Sequence, residues 1–156
     1  MLEKTGSNEI EQLLEAAMYK EVASQAFYTE GQKLTDDPGA VALLKELAEE
    51  EGKHLEWLKE IKDTGIKEKS YFHKKVPNLM ISEYLKGGES LEGAGLQDTL
   101  TFAIKREQQS MAFYTDMMSI LRDKTAKQLC LRLTQAELNH KYKLETLYEN
   151  IFLAED

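Results

Sequence analysis

Six side chains of this sequence have the types and the spacing to hold metal ions: Glu21, Glu51, His54, Glu107, Glu137 and His140. The motifs Glu51-x-x-His54 and Glu137-x-x-His140 each put a carboxylate and an imidazole on one helical face about a turn apart. A carboxylate so placed can bridge two ions while the imidazole binds one of them. Glu21 and Glu107 are single carboxylates on other segments, and each would complete the shell of one ion. Positions left over on the metals would be open to water, O2 or peroxide.

These residues recur because the chain repeats itself at an offset of 86 positions. The segment Lys20 to Glu30 lies over Arg106 to Asp116 with six identities in eleven positions, and Glu51 and His54 fall on Glu137 and His140. Two copies of a helical hairpin, related by an approximate internal two-fold axis, are therefore expected.

Capping and breaking residues outline the elements that must position the six. A first helix is expected from about Asn8, capped by Ser7, to about Leu34, and a second from Pro38, capped by Asp37, to about Asp63. Thr64-Gly65 ends it. A third should run from about Leu96 to Leu121, and a fourth from about Lys124 to Phe152 with Asp123 as cap. The stretch between Thr64 and Gly95 is too long for a hairpin turn and reads as a crossover. Within it Val76-Pro77, then Leu79, Met80, Ile81, Tyr84 and Leu85, predict a short extra helix closed by Gly87-Gly88. The fold class is all-α: an antiparallel four-helix bundle with one long crossover between helices 2 and 3, forming one domain over residues 1–156.

On each helix the candidate ligands interrupt an apolar stripe. Ile10, Leu14, Ala17, Glu21, Ser24 and Tyr28 share one face, as do Leu44, Leu47, Glu51, His54, Leu58 and Ile61. The third helix aligns Leu100, Ala103, Glu107, Ser110, Tyr114, Met117 and Leu121; the fourth aligns Cys130, Leu133, Glu137, His140, Leu144, Leu147 and Ile151. Every helix thus points one Glu inward. Enclosing four ionised carboxylates without cations would be strongly destabilising. No Lys or Arg occupies these stripes near the four Glu, whereas two divalent ions balance four carboxylates charge for charge. The competing reading is a bundle that binds no metal and keeps its carboxyls protonated by burial.

Tyr28 and Tyr114 each follow a ligand Glu by two turns. They are either core aromatics whose hydroxyls find a partner or groups that hydrogen-bond the ligand carboxylates. His73, beside Lys74 and Lys75, reads as exposed, and Trp57 and Cys130 as core.

Composition sets the outer limits. With 42% hydrophobic and 31% charged residues, 9 Gly and only 2 Pro, the chain favours helices. A formal charge of −8 argues against gripping nucleic acid or an anionic membrane. Cys130 stands alone, so neither an internal disulfide nor a four-cysteine site can form within one chain. No apolar run nears the ~20 residues needed to span a bilayer, and residues 1–10 lack a signal-like core. A cytoplasmic protein is expected.

In its six ligands, their order and their helices, the chain resembles the rubrerythrin-type branch of the ferritin-like di-iron carboxylate superfamily, over about Asn8 to Asp63 and Leu96 to Phe152. The resemblance implies two iron ions, with manganese as the alternative. Glu51 and Glu137 would bridge, Glu21 and Glu107 would be terminal, and His54 and His140 would each bind one iron. It also implies a homodimer. Rubrerythrins usually carry an extra Glu one turn from the third-helix ligand, where this chain has Ile104 and Ser110, so the ligand exchange tied to it is not expected. Their Cys-rich rubredoxin module has no counterpart in residues 1–156, so an external electron-donor protein is expected. Bacterioferritins share the ligand pattern but carry a haem-binding Met where this chain has Gly52, and their fifth helix has no room here.

The function expected from these residues is reduction of hydrogen peroxide or O2 by a di-iron centre. The rivals are an iron-binding or ferroxidase protein for which Fe2+ is the substrate, and a non-enzymatic metal-dependent sensor. Manganese catalase and di-iron oxygenase chemistry suit the same ligands.

Overall fold

Proline and glycine stop and start the helices at the places their backbone chemistry requires. The computed structural model describes residues 2–65 and 76–153. Over these it is an all-helical bundle of α1 (Leu2–Gly31), α2 (Pro38–Thr64), α3 (Leu96–Ile120) and α4 (Lys124–Tyr148), with no strand among the described residues. Asp37 caps α2 by accepting hydrogen bonds from the amides of Gly39 (2.8 Å) and Ala40 (3.1 Å), with Pro38 at the first helical position. Asp123 caps α4 by accepting from Ala126 N (2.9 Å). Gly65 ends α2 at φ +83°, a left-handed conformation that favours glycine, and its amide donates to Ile61 O at 2.8 Å.

Four boundaries differ from those expected. α1 begins at Leu2, so Ser7 lies within the helix and not at its start; an interior Ser lowers helix propensity by well under 1 kcal/mol, too little to stop the ladder. α1 also ends at Gly31, because Gln32, Lys33 and Leu34 turn back on Thr29, Glu30 and Gly31 through tight three-residue bonds. The short extra helix contracts to a single 3-10 turn, Ile81–Glu83, entered through Met80 in the left-handed region (φ +59°). Beyond α4 the chain widens into a π-type turn, Glu149–Leu153, where a continuous helix to Phe152 was expected. His73 lies outside the described residues.

Two apolar clusters form the core, one on each side of a polar layer. The first gathers Leu13, Leu14, Ala17, Trp57, Leu58, Tyr114, Leu129, Cys130 and Leu133. The second gathers Tyr28, Leu43, Leu44, Leu47, Leu100, Ala103, Ile104, Leu144 and Tyr148, and takes in Leu91 and Leu85 from the connection between α2 and α3. That connection is also held by a buried polar latch. Lys141 Nζ donates to Asn78 Oδ1 (2.6 Å) and to Glu145 Oε1 (3.1 Å), while Glu145 Oε2 accepts from Ile81 N (2.7 Å). Both charged side chains are fully enclosed, so each depends on the other. At one end of the bundle, Glu9 of α1 accepts from the amides of Arg122 and Asp123, tying the first hairpin to the turn of the second. No helix among the described residues is long and apolar enough to cross a membrane.

Candidate metal centre

Between the two clusters, each helix contributes its interrupting carboxylate to one layer. Glu21, Glu51, His54, Glu107 and Glu137 are at most 2% exposed, and His140 is nearly buried at its side chain. They lie in two trios: Glu21, His54 and Glu137 in one, Glu51, Glu107 and His140 in the other. Within a trio one donor atom of each residue lies within 4.8 Å of those of the other two. His54 Nδ1 is 3.6 Å from Glu21 Oε1, and His140 Nδ1 is 3.7 Å from Glu107 Oε1 and 3.9 Å from Glu51 Oε1. Donors that each stand ~2.0–2.2 Å from one ion are roughly 3–4 Å apart, so these separations suit a shared cation. The two imidazoles stack face to face, centroids 4.4 Å apart and planes 6° apart, which brings the trios side by side.

Each trio draws on three helices: α1, α2 and α4 for the first, α2, α3 and α4 for the second. The Glu and the His of one Glu-x-x-His motif therefore belong to different trios.

The protein's own groups neutralise the layer only in part. Burial, then the Glu137 charge, raises the Glu21 carboxyl to about 8. Burial and neighbouring carboxylates likewise push Glu51 and Glu107 well above the usual carboxylate range. Glu137 is the exception: burial opposes ionisation, but a hydrogen bond from Glu107 and the positive charges of Lys20, His140 and His54 outweigh it. His140 is raised, because the carboxylates of Glu107 and Glu50 overcome its burial. His54 is lowered, chiefly by burial and then by the positive charge of His140. Glu21 Oε2 and Glu107 Oε2 are enclosed and receive no hydrogen bond. Buried acceptors without donors, in trios with neutralisable imidazoles, are groups that could hold metal ions.

Several neighbours of the layer lie off the inward stripes. Lys20 Nζ donates to Ser110 Oγ and lies 5.5 Å from the Tyr114 ring centre. At the repeat-related place Arg106 donates to Ser24 Oγ at 3.1 Å and stacks over Phe27 (4.7 Å) and Tyr28 (5.9 Å). Cations therefore do approach the layer, from positions just before Glu21 and Glu107. The signal was in the repeat, which aligns Lys20 with Arg106 and Ser24 with Ser110. Glu50 was also missed; its Oε2 lies 3.5 Å from His140 Nε2, on the side away from the trio. Held there, the ring can present Nδ1 inward.

The tyrosines behave differently from either expectation. Tyr28 and Tyr114 are fully buried, yet neither hydroxyl makes a hydrogen bond. Burial first, then neighbouring carboxylates, raises both phenols well above their ordinary range, with Glu107 and Glu51 acting on Tyr28 and Glu137 and Glu21 on Tyr114. Each tyrosine thus keeps its proton beside one trio. Comparison with family models, with curated proteins and with solved structures finds no match to this chain.

Proposed function

We propose that this chain is a di-iron carboxylate oxidoreductase that reduces hydrogen peroxide, or O2, with electrons from an external donor protein. The observation that carries the reading is the pairing of two buried Glu-Glu-His trios side by side across stacked imidazoles. In this reading Glu21, His54 and Glu137 hold one ion and Glu51, Glu107 and His140 the other, with Glu51 and Glu137 shared. Iron, or manganese with the same donors, would supply the two-electron chemistry when bound. The short links α1–α2 and α3–α4 and the long connection 65–95 suit the antiparallel, ferritin-like bundle with one crossover that the rubrerythrin resemblance implies.

The chain's own residues do the rest. Two electrons and two protons convert one peroxide to two waters, so protons must be at hand. Tyr28 and Tyr114 hold theirs at the phenol oxygen, and neither oxygen is committed to another partner. The apolar clusters on either side exclude bulk water, which strengthens the hold of carboxylates on cations. Glu50 orients His140.

Anaerobic mixing of diferrous protein with one equivalent of peroxide is the test. Oxidation faster than by O2, with two waters formed per peroxide, is the expected result. Oxidation no faster than by O2 sinks it. The partly exposed Glu50 beside His140 favours a second reading, in which Fe2+ enters there as substrate. Many equivalents of Fe2+ in air would then yield a soluble multi-iron product, where the first reading expects about two irons per chain.

A further inference from the structure

A cleft of about 420 Å³ opens between α1 and α3, lined in part by Lys20 and Arg106, the residues that precede Glu21 and Glu107. That is within the size of small-molecule sites, roughly 300–1,000 Å³. Its walls carry Lys20 and Arg106 and no acidic residue, on a chain whose formal charge is −8. Neither cation has a carboxylate within ion-pair distance among the described residues. Arg106 spends Nε and Nη2 on Ser24 Oγ, and Lys20 spends one of its three donors on Ser110 Oγ, so both keep N–H groups to offer.

The two bonds also fix the register of the cleft. Residue 20 faces 110 and residue 24 faces 106, so passing along α1 from Ala23 to Ala16 means passing along α3 from Arg106 to Phe113. Arg106 stands at one end, Lys20 lies midway, and the other end is lined by Ala16, Tyr19 and Phe113. A charged head and an apolar tail are distinguished along one groove.

We infer that the α1–α3 cleft binds an amphipathic monocarboxylate, its carboxylate between Arg106 and Lys20 and its hydrocarbon chain against Ala16, Tyr19 and Phe113. Charge complementarity selects the carboxylate, because an inorganic anion would leave the apolar end uncovered and a neutral alkyl chain would leave two cations unmatched. The site is separate from the metal chemistry proposed above and does not rest on it.

Decanoate is the probe, titrated calorimetrically into the full chain both metal-loaded and chelated. One decanoate per chain is expected in both states, with decanol and decyltrimethylammonium at least about tenfold weaker. Arg106→Gln should weaken decanoate at least about tenfold, and Ala23→Trp, which fills the cleft from an exposed position, should abolish binding. Ala23→Trp must keep its helicity and metal content, so that loss of binding reports the cleft and not the fold. Equal binding of decanoate and decanol would overturn the proposal, as would wild-type affinity in both variants. No decanoate binding by a chain that sediments as a dimer would also overturn it, and would make a second copy the occupant. Loss of peroxide reactivity with decanoate binding intact would count against the di-iron reading alone.

Discussion

The two trios are built from equivalent residues of a repeated sequence, yet their surroundings are not equivalent. In the first, His54 is enclosed and its affinity for protons is depressed by burial. In the second, His140 reaches toward the surface, where Glu50 receives it; the repeat-related position to Glu50 is Ala136, which can do no such thing. Lys20 lies beside the first trio and lowers Glu137, whereas Arg106 is engaged by Ser24 and two aromatic rings beside the second. A repeat therefore preserves the donors but not their electrostatics, and two ions held here would differ in affinity and accessibility.

Metal loading provides the largest test of whether the trios act together. At a free ion concentration about a hundred times Kd, one bound ion adds about 2.7 kcal/mol, which for a chain of this size raises Tm by about 5–10 °C. Calorimetry with anaerobic Fe2+ or with Mn2+ checks it, and an unchanged Tm with both metals would break the premise. Replacing one imidazole at a time then separates the trios. His54→Ala and His140→Ala should each lower the metal content from about two ions per chain to about one by elemental analysis. Loss of both ions from either variant would mean that the trios are one indivisible site.

pH should act oppositely on the loaded and metal-free chains. Glu21, raised from 4.5 to about 8, and Glu51 and Glu107, also raised by burial, favour the folded state while protonated. That contribution is complete below about 4.5 and is lost as pH rises through about 8. The Tm of metal-free protein should therefore fall between pH 5 and pH 8.5. Metal affinity should rise over the same interval, because the ions displace those protons. A metal-free Tm that rises with pH would show the carboxyls to be ionised in the fold. Glu50→Gln sharpens the asymmetry: it should weaken one ion by about 10–100-fold and leave the other alone, seen as a second, later phase in a metal titration. The smallest effect concerns the caps. Asp37, with two accepted bonds, should lose more stability on change to Ala than Asp123 with one, each about 1 kcal/mol.

The candidate ligands were legible because they contradict their context. A Glu in the middle of a leucine stripe is an anomaly at one position and a pattern at four, and the offset of 86 made the pattern visible without any structure. Helix number and the two aspartate caps were legible for similar local reasons. Glu50 and Lys20 were not, because they sit off the inward stripes and reach the layer through side-chain length. Nor was the contraction of the extra helix to Ile81–Glu83, where the Glu145 carboxylate captures Ile81 N from sixty-four residues away.

Residue type and helical period by themselves determined that four helices would form and that one Glu from each would meet two His inside. Which Glu joins which His, how far His140 stands from solvent, and that the tyrosine hydroxyls find no acceptor were decided only when the helices packed. The physical reason is range. Capping and periodicity act within a turn or two, whereas trio membership depends on how α2 and α4 cross their neighbours, a matter of the summed packing of both apolar clusters.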